Sequence, residues 1–197
     1  MRPVDGAETD EELVVRFRDG SAGAFETLVR RHERRVYNLC LRILGDPDEA
    51  ADASQDAFVA AIRKLHTFRG DAAFTTWLHR VTVNACYDSL RRKRRRPLLH
   101  VVREGDDERP EPVPAVDDPA PTIELSIDVA RALRQVPAEF RIALVLADVE
   151  DLPYDRIAEI LGVAVGTVKS RVFRGRAALG RALGEPPRSS RTSETEA

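Results

Sequence analysis

Six prolines fall between residues 97 and 121: Pro97, Pro110, Pro112, Pro114, Pro119 and Pro121. Proline has no backbone N–H to donate, and its ring collides with the preceding helical turn. No long helix or inner strand therefore runs through such a stretch. The same segment is rich in acids and poor in aromatic side chains, which leaves too little apolar surface for a core. Residues 97–123 read as a flexible acidic linker. Whatever folds must lie in two pieces, one on each side of it.

Both pieces carry the periodicity of helices. Phe25, Leu28, Val29, His32, Val36, Leu39, Cys40 and Ile43 recur at steps of three and four, as one helix face does. Gly45-Asp46-Pro47 ends that run. Phe58, Ala61, Ile62 and Leu65 make a second stripe. After a loop at Phe68 to Asp71, Phe74, Trp77, Leu78, Val81 and Ala85 begin a third, which continues into the basic run Arg91 to Arg96. Beyond the linker the pattern returns at Ile127, Ala130, Leu133 and Val136, and Pro137 starts the next helix with Phe140, Leu144 and Ala147. Two more helices follow, marked by Ile157, Ala158 and Leu161, then by Val168, Val172 and Leu179. No alternation of useful strand length occurs. The expected fold is all-α: two small helical domains, at 10–96 and 124–184, with residues 1–9 and 185–197 disordered.

Composition excludes several classes of function. A hydrophobic content of 43% suffices for packed cores, but no apolar run approaches the ~20 residues that span a bilayer. The N-terminus lacks the apolar stretch of a signal peptide, so the expected location is the cytoplasm. Cys40 and Cys86 lie within apolar helical patterns and read as core thiols of a reducing compartment, with no CxxC to suggest a redox pair. The histidines are scattered, and no carboxylate pair, nucleophile motif or phosphate loop stands out. Neither an enzyme, nor a metal site, nor a cofactor is expected.

The net charge of −2 conceals a segregation. From Arg63 to Arg103 bases dominate, with Asp71 and Asp88 the only acids; from Glu104 to Asp128 the balance inverts, with Arg109 the only base. Such blocks imply different partners or surroundings.

The C-terminal block fits a helix-turn-helix from Tyr154 to Phe173. Ala158 is small where two helices must cross closely, and Gly162 permits the tight turn. On the last helix Val165, Val168, Val172 and Leu179 share one face, while Thr167, Ser170, Arg171 and Arg174 lie on another with Lys169 and Phe173 beside them. Arginine and lysine pair with guanine edges or phosphates, and serine contacts either. Ala164 stands where a capping Ser or Thr would help this helix start.

In the N-terminal block Arg80, Asn84, Tyr87 and Arg91 are spaced to share one face of a helix. Just upstream, the FRGD loop offers Phe68 and a flexible Gly70. An aromatic and an amide near a basic helix suit the capture of unpaired bases, although core packing also accounts for Phe68, Phe74 and Trp77.

On these residues, "FRGDAAFTTWLHRVTVNACYDSLRRKRRR" resembles region 2 of the extracytoplasmic-function (ECF, group 4) sigma factors of the sigma-70 family. "LRQVPAEFRIALVLADVEDLPYDRIAEILGVAVGTVKSRVFRGRAAL" resembles their region 4. The order, region 2, linker, region 4, is also theirs. The resemblance implies a dissociable specificity subunit of bacterial RNA polymerase, without an active site, that binds core polymerase and promoter DNA. It assigns Asp52, Gln55, Asp56 and Phe58 to the helix that docks on the clamp coiled coil of the largest catalytic subunit. The loop Phe68, Arg69, Gly70, Asp71, together with Asn84, matches the pocket for a flipped −10 base, with Arg80 and the run containing Arg91 and Arg92 on the nearby backbone. Thr167, Lys169, Ser170, Arg171, Phe173 and Arg174 match the helix that reads the −35 element. The linker acids Glu104 to Asp118 would lie near the RNA exit path, and an anti-sigma factor would be the regulatory partner. The alternative reading, a stand-alone helix-turn-helix regulator, explains Tyr154 to Leu179 but leaves the FRGD–Asn84 block without a role.

Overall fold

A computed structural model describes residues 8–95 and 127–184. The expectations for residues 1–7, Arg96, the linker and residues 185–197 lie outside these residues. The chain divides into two compact units, Met1–Ile123 and Glu124–Ala197. All regular structure among the described residues is helical.

The first unit contains α1 (Asp10–Arg18), α2 (Ala22–Leu44), α3 (Pro47–Lys64), a 3-10 turn at Leu65–Thr67, and α4 (Phe74–Arg95). Local chemistry sets the boundaries. Thr9 and Glu12 form a reciprocal capping box at the start of α1, each side chain satisfying the other's backbone N–H. Gly45, at φ 77°, closes α2 in the left-handed conformation that an L side chain resists. The Asp46 carboxylate accepts from the Glu49 N–H at 3.0 Å and Pro47 occupies the first turn, so α3 starts at once.

Helices α2, α3 and α4 pack against one another in pairs, and α1 lies against α2. The inner face of α3 is a stripe of Ala50, Ala53, Ala57 and Ala61, each at most 1% exposed. Side chains this small let the neighbouring backbones come close, and the larger residues of α2 and α4 fill the space. This corrects the sequence expectation for α3. Ala61 and the following Leu65 are buried, but Ile62 turns outward, 42% exposed. Cys40 of α2 and Cys86 of α4 meet in this core, their sulfurs 3.6 Å apart.

The second unit contains α5 (Ile127–Gln135), α6 (Ala138–Asp148), α7 (Tyr154–Leu161) and α8 (Val165–Ala182). Ile142 to Leu146 of α6 are all buried, and α8 packs against α5, α6 and α7. Arg141 is buried as well, and its guanidinium donates to the carbonyls of Leu133 and Arg134 at the end of α5. Gly162 takes φ 65° in the turn between α7 and α8, as the helix-turn-helix reading requires. The buried side of α8 is Val168, Val172 and Gly175; Val165, expected on that face, is exposed. Gly175 is the point of closest approach, since a Cβ there would meet the Phe140 carbonyl oxygen at 3.0 Å and Leu144 Cβ at 3.2 Å. Ala164 caps α8 without a side-chain hydrogen bond.

Candidate nucleic-acid interface

Three surfaces gather the residues singled out from the sequence. The first is the outer face of α3. Asp52, Gln55 and Asp56 are exposed, opposite the alanine stripe, while Phe58 is half-buried at the flank. Sequence reasoning missed two members of this face. Val59 and Ile62 extend this outer face at helical spacing and are 40% and 42% exposed. Apolar side chains at those positions had every reason to be read as core, and only the buried alanines opposite reveal otherwise. The result is an acidic and apolar strip.

The second surface joins the 68–73 loop to α4. Arg69, Gly70 and Asp71 are exposed, with Gly70 at φ 79°. Arg80, Asn84 and Arg91 are exposed on one side of α4, and Arg91 pairs with Asp88 at 2.6 Å. Phe68 departs from its companions. Its ring is only 6% exposed and packs edge-on to Phe74 (5.9 Å between centroids) and against Trp77 (5.7 Å). It supports the loop from beneath and offers no open face for stacking. Arg92 also departs, because it points toward α3 and pairs with Asp56 at 2.9 Å, next to a Lys93–Glu49 pair at 2.7 Å. Asp56 and Arg92, assigned by resemblance to different partners, thus hold each other. Pairs this exposed contribute about 1 kcal/mol or less, so either partner is easily released.

The third surface is the outer face of α8. Lys169, Ser170, Phe173 and Arg174 are exposed, Phe173 to 70%. A phenylalanine so exposed between two cations finds no core reason to be there. Ser170 Oγ donates to the Thr167 carbonyl at 3.0 Å, and the Arg174 guanidinium sits 5.8 Å from the centre of the Phe140 ring. Thr167 and Arg171 flank the face, half-buried, with Arg171 3.7 Å from Glu139. Behind the face, Arg176 grips Asp148 through two hydrogen bonds of 2.9 and 2.6 Å. That fork holds the arginine still more firmly protonated than usual, chiefly through the hydrogen bond. An α-helix of this build, with cations, a hydroxyl and an apolar ring on one side, is the shape and chemistry that the DNA major groove accepts.

Comparison with known proteins agrees with this anatomy. Residues 28–96 match the Sigma-70 region 2 family, and residues 126–179 match the Sigma-70, region 4 family. The RNA polymerase sigma-H factor of Pseudomonas aeruginosa is 38% identical over 182 residues, 89% of this chain and 94% of the relative. The ECF RNA polymerase sigma factor SigM of Mycobacterium tuberculosis is 41% identical over 176 residues, 89% of this chain and 85% of the relative. The chain belongs to the ECF sigma factors. Solved structures of the family have the same architecture. The sigma factor RpoE of Bartonella quintana, crystallised with the anti-sigma factor NepR, aligns with this ECF sigma factor at a TM-score of 0.61 and 26% identity, over 81% of this chain and 96% of that one. CnrH, solved in complex with the cytosolic domain of CnrY, aligns at 0.61 and 25% identity, over 90% and 98%.

Among its described residues this ECF sigma factor has no helix long and apolar enough to cross a membrane.

Proposed function

We propose that this sigma factor acts in the cytoplasm as a dissociable specificity subunit of RNA polymerase, with no catalytic site of its own, and that its two units read the two halves of a promoter. One observation carries the reading: each unit presents an exposed helix side bearing cations and a hydrogen-bonding group, Arg80, Asn84 and Arg91 on α4, and Lys169, Ser170 and Arg174 on α8. A single-domain DNA binder needs only one such face.

In this reading the strip of Asp52, Gln55, Asp56, Val59 and Ile62 docks on the clamp coiled coil of the polymerase, with Phe58 at its edge. The loop residues Arg69, Gly70 and Asp71, floored by Phe68, take a flipped −10 base together with Asn84. Flipping costs a few kcal/mol, which a preformed pocket offsets. Arg80, Arg91 and Arg92 neutralise the nearby backbone, the last after leaving Asp56. Lys169, Ser170, Phe173 and Arg174 read the −35 element in the major groove, with Thr167 and Arg171 at the margin of the contact. The segment 97–123 tethers the two readers, and tethering strengthens binding only when both sites can be engaged together. That the similar RpoE of Bartonella quintana was solved with an anti-sigma factor supports an anti-sigma factor as the regulatory partner here.

The test is reconstitution with bacterial core polymerase on the genome that encodes the protein, with mapping of transcript 5′ ends. Discrete starts, each preceded by one shared −35/−10 pair, are expected. DNA binding without any core-dependent start would overturn the reading in favour of a stand-alone regulator.

A further inference from the structure

Nothing in the capture of a −10 base explains α1. None of the residues assigned to DNA or polymerase lies on it. Yet α1 is tied firmly to the unit. Leu13 and Val14 are buried, and the Phe17 and Phe25 rings pack 5.6 Å apart. Asp10 accepts from Arg31 at 2.5 Å and meets His32 Nε2 at 2.8 Å.

From this fixed base, two side chains of α1 reach the two ends of the 68–73 loop. The Arg18 guanidinium donates to the Leu65 carbonyl at 3.2 Å and to the Phe68 carbonyl, where the loop begins. The Glu11 carboxylate accepts from the Phe74 N–H at 3.2 Å, where the loop ends and α4 starts. A carbonyl held by a cation and a first-turn N–H held by an anion are both charge-assisted contacts. Between the two clasped ends lie Arg69, Gly70 and Asp71, all exposed.

We propose that α1 is a positioning element for −10 recognition, with Arg18 and Glu11 the positioning residues that hold the 68–73 loop in its base-capturing shape. Neither touches DNA. A loop already held in shape need not be ordered when the base arrives, so the clasp increases selectivity for the correct base over a wrong one. The proposal rests on the promoter reading given above.

The experiment uses the full chain assembled with core polymerase, on a promoter found by 5′-end mapping and on versions with single −10 substitutions. The quantity read is the discrimination ratio, initiation from the correct −10 element over initiation from a substituted one. Core affinity and binding to a −35 duplex are measured in parallel. For Arg18→Ala the ratio is expected to fall about tenfold, the equivalent of one charge-assisted hydrogen bond. Core affinity and −35 binding should stay as in the wild type. Arg18→Lys, which keeps a charged donor, should recover part of the ratio, and Glu11→Gln, which keeps an acceptor, should lose only about two- to threefold. An unchanged ratio in Arg18→Ala overturns the proposal. So does a loss spread equally over core affinity, −35 binding and all −10 variants, because that marks a merely structural role. Should Arg18→Ala fail to fold, the Arg18→Lys and Glu11→Gln ratios decide alone: wild-type values in both overturn the proposal. A wild-type protein that ignores −10 substitutions would instead overturn the promoter reading itself.

Discussion

The outward face of α8 follows from helix geometry: once Val168 and Val172 are buried, Lys169, Ser170, Phe173 and Arg174 have nowhere to go but outward. The 68–73 loop follows no such rule. Its ends are held by side chains from 47 to 63 residues earlier, and its floor is an aromatic cluster of Phe68, Phe74 and Trp77. A helix face is specified locally and tolerates change elsewhere in its unit. A loop of this kind is specified by the tertiary structure and inherits every weakness of its supports.

The sharpest way to break that contrast is to remove the floor of the loop. Phe74→Ala deletes a fully buried ring and should cost about 3–5 kcal/mol. Trp77 is the single tryptophan and lies in the first unit, so denaturant unfolding followed by its fluorescence reports that unit alone. An unchanged midpoint would mean that the cluster supports nothing. The matching attack on the second unit is Gly175→Val. The added side chain would press on the Phe140 carbonyl and Leu144, at an expected cost of about 1–3 kcal/mol. Circular dichroism should show an early helical transition while the Trp77 midpoint stays fixed; a shift in both would mean that the two units unfold together.

A gain should follow at the start of α8. Ala164→Ser restores the missing cap and should stabilise the second unit by about 1 kcal/mol, read as a raised thermal midpoint. The smallest effect concerns the anchoring of α1. Burial opposes ionisation of Asp10, but its hydrogen bonds and charge interactions with His32 and Arg31 outweigh this and hold its pKa below the usual carboxylate value. A depressed folded pKa contributes stability that is present above about pH 4, the unfolded value, and is lost as the pH falls through the folded one. Asp10→Asn should therefore flatten the loss of stability of the first unit below about pH 4, measured by Trp77 fluorescence at graded pH; an identical acid profile would remove Asp10 from the account.

What could be read in the sequence follows the same division. The two-unit all-helical architecture, the stop at Gly45 and the turn at Gly162 were legible because periodicity and backbone chemistry are local. The outward face of α8 was legible for the same reason, although Thr167 and Arg171 are half-buried at its margin and Val165, expected on the inner face, is exposed. On α3 the pattern misled, since alanines filled the core and Ile62 faced water, and apolar size alone ranks them the other way. Arg92 belonged by spacing to a basic run, but only a neighbouring helix could show that it turns to Asp56. Phe68 matched a base pocket by resemblance, but its ring is buried against Phe74 and Trp77. Helix α1 left a usable signal, the capping box of Thr9 and Glu12, but its contacts with the loop depend on the folded chain.

Helix α8 divides along its length. The outward residues lie toward its first half, whereas Gly175 and the Arg176–Asp148 fork fasten the stretch behind them to α6. Outward residues and mount occupy successive stretches of one rod about 27 Å long. The front stretch is in effect an interchangeable cassette. Swapping positions 169, 170, 173 and 174 for those of a relative should redirect promoter choice in a transcript-mapping assay while leaving the melting temperature where it was.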